Sequence, residues 1–253
     1  MAIRVFLAGA TGAIGNRLIP LLLRAGALVF GTTRSAARGE ELRSRGVEPI
    51  VVDVFDAPAL TRAMTKVDPD VVIHQLTDLA LIHDPTRPAE ALTRNAQLRT
   101  EGTKNLVAAA VEAGAHRLIA QSIAWVYAPG PEPHAEEDPL DVGATGMAAI
   151  TVQGVVALEQ AVLTAPQFEG IVLRYGWLYG PGTGSAVAAG SPPLHVDAAA
   201  MAAALAIDRG APGVYNIAEP SPSVSVEKAW RELSWDPDFR AQERTGRPEV
   251  TGR

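Results

Sequence analysis

The segment from Phe6 to Leu18, FLAGATGAIGNRL, constrains the fold more than any other part of the sequence. An apolar run leads into three glycines spaced by two residues, and an amphipathic helical pattern follows. In this context the first glycine permits a tight turn, the second lets the backbone approach a pyrophosphate, and the third lets helix and strand pack closely. The helix amino terminus adds unpaired N–H groups and a partial positive charge. A small-residue turn without a ligand is the alternative, but the context favours a dinucleotide-binding turn formed by Gly9, Thr11, Gly12, Ala13, Ile14 and Gly15.

Apolar strand-like runs alternate with helical patterns along the chain, which is typical of a parallel sheet covered by helices on both faces. We predict an α/β fold, a Rossmann-type doubly wound parallel sheet within a single domain of residues 1–253. A reduced C-terminal substrate-binding lobe is expected from about 176–195 and 213–240. The predicted strands are 3–8, 28–32, 49–52, 71–75, 117–121 and 170–174, and the predicted helices are 13–24, 38–45, 58–65, 89–113 and 151–163.

Charge and cysteine content narrow the function classes. The formal net charge is -6, which disfavours nucleic acid and anionic membrane surfaces as partners. The longest apolar run, LIPLLL, is too short to span a bilayer. There is no cysteine, which excludes disulfides and thiolate metal sites, so we expect a cytoplasmic protein with no metal.

The end of the second predicted strand indicates which dinucleotide is bound. An NAD site usually has Asp or Glu there, whereas GTTRSAAR, residues 31–38, contains no acid and two arginines. Arg34 and Ser35 are suited to a 2′-phosphate, although a solvated arginine at a helix start is the alternative. We therefore predict NADP(H) as the preferred cofactor, with NAD(H) possible.

The third predicted strand ends in VVDVFD, which places Asp53 and Val54 beside the same site. The Asp53 carboxylate is suited to accept from an adenine amino group. Its alternative role is to cap the helix that begins near Ala57, but Asp56 is better placed for that cap.

Several segments together resemble the extended short-chain dehydrogenase/reductase family, in particular its NAD-dependent epimerase/dehydratase branch. They are GATGAIG, VVDVFD, VVIHQLTD, EGTKNLVAAAVEAGAHRLIAQSIAWVYAPG, IVLRYGWLYGPG, PLHVDAAAMAAALA and GVYNIAE, in that order, and they cover roughly Ile3 to Leu233. The resemblance implies that Leu76 and Thr77 line the cofactor ribose and that Gln121 and Ser122 lie beside the nicotinamide. It further implies that Tyr175 lies near the nicotinamide ribose, that Arg174 holds its strand end, and that His195 opens a late helix.

The sequence departs from this family at its catalytic signature, Tyr-x-x-x-Lys. Thr151 and Val155 stand at the tyrosine and lysine positions, and the position of the partner serine falls on Ile123, next to Ser122. Because a positioned general acid or base contributes about a hundredfold to ten-thousandfold in rate, we do not expect the unmodified family mechanism.

Other polar side chains are candidates for the missing groups. Ser122, Tyr127 and Thr151 are the candidate catalytic residues, although Tyr127 is equally suited to packing with a satisfied hydroxyl. The candidate substrate-contacting residues are His83, Arg174 and His195, and for each histidine a surface or capping role is the alternative.

The spacing of the late motifs bears on the substrate. Residues 183–194 alone separate LYGPG from HVD, which leaves little room for a lobe that grips a nucleotide sugar. We predict an NADP(H)-dependent oxidoreductase or epimerase-like enzyme for a small polar or sugar-like carbonyl or alcohol. The alternative is a catalytically inactive NADP-binding redox sensor. Predicted helices 89–113 and 151–163 have small apolar faces that suit either a homodimer interface or an internal core.

Overall fold

A computed structural model describes residues 1–78 and 86–241 as a parallel sheet covered by helices on both faces. The sheet has seven strands in the order β3-β2-β1-β4-β5-β6-β9, and every neighbouring pair is parallel. The strands are β1 (Arg4–Ala8), β2 (Leu28–Thr33), β3 (Glu48–Val51), β4 (Val71–His74), β5 (Arg117–Ile123), β6 (Glu169–Tyr175), β7 (Trp177–Tyr179), β8 (Pro193–His195) and β9 (Gly213–Ile217). Strands β7 and β8 pair in a small separate sheet.

Eight α-helices connect or follow the strands in the described residues. They are α1 (Ala13–Arg24), α2 (Ala36–Ser44), α3 (Ala57–Val67), α4 (Pro88–Gln97), α5 (Thr103–Glu112), α6 (Gly146–Leu163), α7 (Val196–Leu205) and α8 (Glu227–Leu233). A π-helical turn, Leu98–Gly102, joins α4 to α5 without a break in the helical backbone. The predicted helix 89–113 is therefore one continuous helical segment with a widened turn at its centre.

Alternating strand residues supply two hydrophobic cores, one on each face of the sheet. Leu7 and Ile73 pack on the side of α1 and α7, whereas Phe6 and Val72 pack on the side of α3, α5 and α6. These side chains are fully buried because the central strands of a parallel sheet have helices above and below them.

Helix α1 contains a proline, and a residue from outside the helix compensates for it. Pro20 has no N–H to donate to the carbonyl of Asn16. The Arg45 Nη2 donates to that carbonyl at 3.0 Å, and Nη1 donates to Asn16 Oδ1 at 2.6 Å. Arg45 therefore replaces the missing bond and ties the end of α2 to α1.

The structure confirms the six predicted strands to within about two residues and corrects the predicted lobe. Residues 213–217, which we assigned to the lobe, form β9 at the edge of the main sheet. Helix α6 begins at Gly146 rather than Thr151. By length and composition α6 could also cross a membrane, with a mean hydropathy of 1.4, but here it packs on β5, β6 and α4.

Candidate cofactor and substrate site

The glycine turn between β1 and α1 has the geometry of a phosphate cradle. Gly9 has φ of +93°, and its carbonyl accepts from Gly12 N at 3.1 Å. A Cβ added at Gly15 would lie 2.2 Å from Gly9 O, so only glycine allows the helix to start against the turn. A Cβ at Gly12 would instead meet one described atom within 4 Å, Gly9 O at 3.4 Å. The outer side of Gly12 is therefore open for a ligand.

The charge distribution at the start of α1 favours the binding of an anion. Gly12 provides no side-chain cap, and the first turn contains no acidic residue. The N–H groups of Ala13, Ile14 and Gly15 precede the first helical bond, which Asn16 N makes to Gly12 O. Helix N-termini of this kind bind phosphate through free N–H groups and the helix dipole.

A cavity of about 550 Å³ extends from this turn across the carboxyl ends of β2, β3 and β4. Its volume lies within the range of ordinary ligand pockets. Nine of the predicted cofactor residues line it: Gly9, Thr11, Gly12, Arg34, Ser35, Asp53, Val54, Leu76 and Thr77. Six further polar or aromatic residues line the cavity and were not predicted as cofactor residues from the sequence: Thr32, Thr33, Arg38, Phe55, Gln75 and Asp78.

Two arginines stand at one end of this cavity. Arg34 and Arg38 are exposed, and within the described ranges neither side chain has an ion pair or hydrogen bond. Ser35 lies between them and caps α2 by accepting from Arg38 N at 3.4 Å. This end of the cavity therefore has unneutralised positive charge.

Two aspartates near the end of β3 have separate roles. Asp56 Oδ1 accepts from Ala59 N at 3.0 Å and caps α3, as predicted. Asp53 Oδ1 accepts from Phe55 N at 3.0 Å, and its exposed carboxylate lines the cavity.

At the opposite end, amide side chains link the strand ends. Gln121 Nε2 donates to Leu76 O at 2.8 Å, and Gln75 Nε2 donates to the Tyr175 hydroxyl at 3.2 Å. Burial raises the pKa of Tyr175, which is fully enclosed. The Oε1 of Gln75 is buried and has no hydrogen-bond partner in the part of the chain that the structure describes, although Gln75 lines the cavity. Such an orphaned acceptor favours a ligand that donates a hydrogen bond there.

Ser122 and Tyr127, two predicted catalytic residues, belong to a buried polar network. The Ser122 hydroxyl donates to Glu159 Oε1 at 2.7 Å, and Arg174 makes two bonds to the same carboxylate, at 2.9 and 2.7 Å. The Tyr127 hydroxyl donates to Asn216 Oδ1 at 2.7 Å and accepts from Arg174 Nη1 at 2.8 Å.

The protonation of this network follows from its burial. Burial opposes the charge on Arg174, but the hydrogen bonds and negative charge of Glu159 outweigh it and raise the pKa of Arg174. Burial also raises the pKa of Tyr127, although Arg174 opposes that shift. Ser122 and Arg174 are thus both bonded to Glu159, and Tyr127 joins the network through Arg174, so these three side chains hold one another in place.

A second buried cation lies beside this network on the π-helical turn. Arg99 is 8% exposed, and within the described residues its guanidinium has no hydrogen bond or ion pair. Burial lowers the pKa of Arg99 to about 10, and the charge of Glu159 partly opposes this shift. The charge of Glu159 therefore acts on two buried arginines, although of these two it is bonded to Arg174 alone.

His74, at the end of β4, is neutral at physiological pH. Burial, together with the charge of Arg99, lowers the pKa of His74 to about 4. Its Nδ1 accepts from Leu76 N at 3.2 Å, so the proton is on Nε2, which lies 3.0 Å from Thr103 Oγ1. His74 thereby fixes the backbone of Leu76 at the cavity wall.

An apolar cluster occupies the positions at which the family resemblance implies serine and lysine. Ile123, Val126, Val152 and Val155 pack together, and Val155 is fully buried. Thr151 is partly buried on the same helix, and its hydroxyl has no hydrogen-bond partner among the residues that the structure describes. The structure therefore places no buried acid–base pair at these positions.

The structure describes one of the two predicted substrate histidines, His195. His195 Nδ1 accepts from Asp197 N at 3.2 Å and caps α7, while its ring packs edge-on against Tyr179. Burial is the main reason that the pKa of His195 is lowered. This is the capping role that the sequence left open as its alternative. His83 lies outside the described residues.

The glycine-rich segment after β7 reaches back over the cofactor turn. A Cβ on Gly182 would lie 3.7 Å from Ala13 Cα, and one on Gly180 would lie 2.6 Å from His195 Nε2. The segment thus lies next to the first residue of α1.

A doubly wound parallel sheet with a glycine turn, an uncapped first helix and a cavity across the strand ends defines a nicotinamide-dinucleotide enzyme of Rossmann type. The profile of the NAD dependent epimerase/dehydratase family matches residues 5–205, and the chain belongs to this family. It is therefore an NAD(P)-dependent enzyme of the oxidoreductase and epimerase type.

Two sequence relatives come from streptomycetes. A 3-diazoavenalumate denitrifying reductase from a Streptomyces species is 42% identical over 88% of this chain and 78% of its own length. A dTDP-4-dehydrorhamnose reductase from Streptomyces griseus is 30% identical over 71% of this chain and 51% of its own length.

Solved structures share the fold at lower identity. A UDP-glucose 4-epimerase from Thermotoga maritima, determined with UDP-glucose, has a TM-score of 0.73 at 17% identity, with 94% of each chain covered. The Bordetella bronchiseptica enzyme WbmG, determined with NAD, has a TM-score of 0.72 at 20% identity, covering 95% of this chain and 91% of that one.

Proposed function

We propose that the protein is an NADP(H)-dependent reductase that delivers hydride to a small acceptor without a tyrosine–lysine proton relay. The observation that carries this proposal is the apolar cluster of Ile123, Val126, Val152 and Val155 beside an intact cofactor cradle. Reduction of a carbonyl requires a proton on oxygen as the hydride arrives, and a missing acid costs about a hundredfold to ten-thousandfold in rate. An acceptor that needs no proton from the protein fits this arrangement better.

The cavity supports the cofactor part of the proposal. The amides at the start of α1 would bind the pyrophosphate, Asp53 would accept from the adenine amino group, and Arg34, Ser35 and Arg38 would bind a 2′-phosphate. When bound, the reduced nicotinamide supplies the hydride. Arg34 and Arg38 have no acidic partner within the described ranges, which favours NADP(H) over NAD(H).

An aryl diazonium group is an acceptor with the required chemistry. Its replacement by hydrogen consumes one hydride and releases N₂, so the cation and the hydride give a neutral arene with no proton gained or lost. The 42% identity to a 3-diazoavenalumate denitrifying reductase over most of both chains supports this class.

A small polar or sugar-like carbonyl is the second candidate, supported by the 30% identity to a dTDP-4-dehydrorhamnose reductase. In that case the Thr151 hydroxyl is the group available to orient the oxygen, since Ser122 and Tyr127 are bonded within the network.

The test is a turnover assay with two acceptor classes. The protein and NADPH are mixed with 4-carboxybenzenediazonium salt or with a panel of aldehydes, ketones and sugar lactones, and NADPH loss, arene and N₂ are measured. We expect equal amounts of arene and oxidised cofactor, above the rate without protein and above that of Gly12→Ala. Turnover of carbonyls alone would favour the second candidate. Firm NADPH binding without turnover of either class would indicate the redox sensor.

We further propose a homodimer and a cytoplasmic location. Side chains of α5, α6 and the π-helical turn line an exposed groove, and the alanines and threonines among them support pairing of this face with a second copy: Thr100, Glu101, Lys104, Ala157, Gln160, Ala161 and Thr164. Light scattering should give a dimer mass that Ala161→Arg converts to a monomer mass. The cysteine-free composition supports the location.

A further inference from the structure

Two tryptophans lie side by side at the carboxyl edge of the sheet. Trp125 follows β5, and Trp177 follows β6 as the first residue of β7. Strands β5 and β6 are neighbours in the main sheet, and their last residues, Ile123 and Tyr175, are register partners. The two indoles stack with centroids 4.2 Å apart and planes inclined by 19°. Both remain well exposed, Trp125 at 36% and Trp177 at 44%. In open parallel sheets this edge is where ligands bind.

The stack is held from behind by backbone. Gly190 has φ of +80°, and a Cβ there would lie 2.7 to 3.0 Å from three ring carbons of Trp177. Trp177 N also donates to Pro192 O at 2.7 Å. Trp177 is therefore clamped between Gly190 and Trp125. Within the described residues, Trp177 is the one ring that contacts Trp125, so the outer part of Trp125 is available to a ligand.

The surroundings of the platform, defined as Trp125 and Trp177, are apolar. Ile123 and Val126 flank Trp125 in the chain and pack into the cluster that contains Val155. A saturated sugar ring needs hydrogen-bonding groups around its edge, whereas a planar conjugated ring gains from stacking on an indole and from burying apolar area.

We infer that the Trp125–Trp177 platform binds the ring of a small planar aromatic acceptor. The inference rests on the proposed function, because it assigns the acceptor of the same site. Stacking of a ring on Trp125 removes exposed indole surface from water and fixes the plane of the acceptor at the strand ends. Aromatic pairs of this kind contribute about 0.5 to 1.5 kcal/mol beyond their buried area, so together with that area the loss of one indole should weaken binding at least about tenfold.

The experiment measures binding, not turnover. Protein saturated with NADP⁺ is titrated calorimetrically with trans-4-hydroxycinnamate and, separately, with 3-cyclohexylpropanoate, which carries a saturated ring. We expect the aromatic acid to bind at least tenfold more tightly. Trp125→Ala should remove this preference and leave NADP⁺ affinity unchanged, whereas Trp125→Phe should retain most of it.

Trp230 provides the matched control, because it is also 44% exposed but lies on α8. Trp230→Phe should bind both acids as the parent does. If Trp125→Ala fails to fold, Trp177→Leu serves as the second variant with the same expected loss. Equal binding of the two acids, no binding of the aromatic acid by the parent, or parent-like binding by the variants would overturn the platform. Aromatic binding without hydride transfer would instead overturn the proposed function and leave the platform intact.

Discussion

Substitution of Glu159 by glutamine tests the buried polar network most directly. Glu159 is 5% exposed and accepts from Ser122 and twice from Arg174, which is itself 4% exposed. Glutamine keeps the shape but removes the charge and directs an NH₂ group at a guanidinium. Arg174 would then be buried without its bonded counter-ion, and Arg99 would lose the nearby negative charge of Glu159.

The expected cost is large because one partner of a buried pair is removed. Breaking such a pair typically destabilises a protein by about 3 to 5 kcal/mol. For a chain of this size, that corresponds to a fall in Tm of roughly 6 to 20 °C. The measurement is urea unfolding followed by circular dichroism, with the free energy of unfolding compared at equal denaturant slope.

The matched control is Glu90→Gln, which removes the exposed carboxylate that pairs with Arg87. Such surface pairs are worth about 0 to 1 kcal/mol, so this variant should unfold almost as the parent does. Replacing Arg174 by methionine together with Glu159→Leu should recover part of the loss, because one unpaired cation is removed. A destabilisation below about 1 kcal/mol for Glu159→Gln would refute the assignment of this carboxylate as the buried counter-ion of Arg174.

Three further predictions concern the cofactor turn and the buried histidine. Arg34→Ala should weaken NADPH binding by roughly 10- to 100-fold and leave NADH binding nearly unchanged, since a charged hydrogen bond contributes about 1.5 to 3 kcal/mol. Calorimetry with both cofactors measures this difference, and equal losses of affinity for NADPH and NADH would contradict it. Gly12→Ala should retain the thermal stability of the cofactor-free protein but lose cofactor binding. Gly15→Ala would place its Cβ 2.2 Å from Gly9 O and should lower the free energy of unfolding by at least about 1 to 3 kcal/mol. Thermal melts with and without NADPH distinguish the two effects. The pKa of His74 is about 4 in the folded state and 6.5 in the unfolded state, so the unfolded state binds more protons between these pH values. The free energy of unfolding should therefore fall by roughly 3 kcal/mol as the pH falls from 6.5 to 4. In urea unfolding, His74→Gln should reduce this pH dependence, and an unchanged pH dependence would show that other groups cause it.

Much of the fold could be predicted from the sequence because local patterns determine it. The turn at Gly9, Gly12 and Gly15 and the apolar central strands are each formed by residues that are close in the sequence. The structure contains both the turn and these strands. Strand β9 was assigned to the lobe because a short edge strand such as GVYNI has little periodicity, and its pairing with β6 joins residues more than 40 positions apart.

The candidate site was harder to predict, because contacts between distant residues decide what each polar side chain does. Ser122 and Tyr127 stand near the right strand ends, but Glu159 and Asn216 bind their hydroxyls. Glu159 could have been identified from the sequence, because an acidic residue within the apolar stretch of α6 indicates a buried partner of opposite charge. Arg99 gave none, since an arginine in a polar helical stretch is ordinarily solvated.

The bond from Arg45 to the Asn16 carbonyl limits how this protein can be recombined with its relatives. A chimera that inherits Pro20 from this chain but takes α2 from another parent would lose the guanidinium that satisfies the orphaned carbonyl. Helices α1 and α2 should therefore be taken from the same parent. In an engineered chimera, the crossover point should lie after residue 45 and not between the two helices.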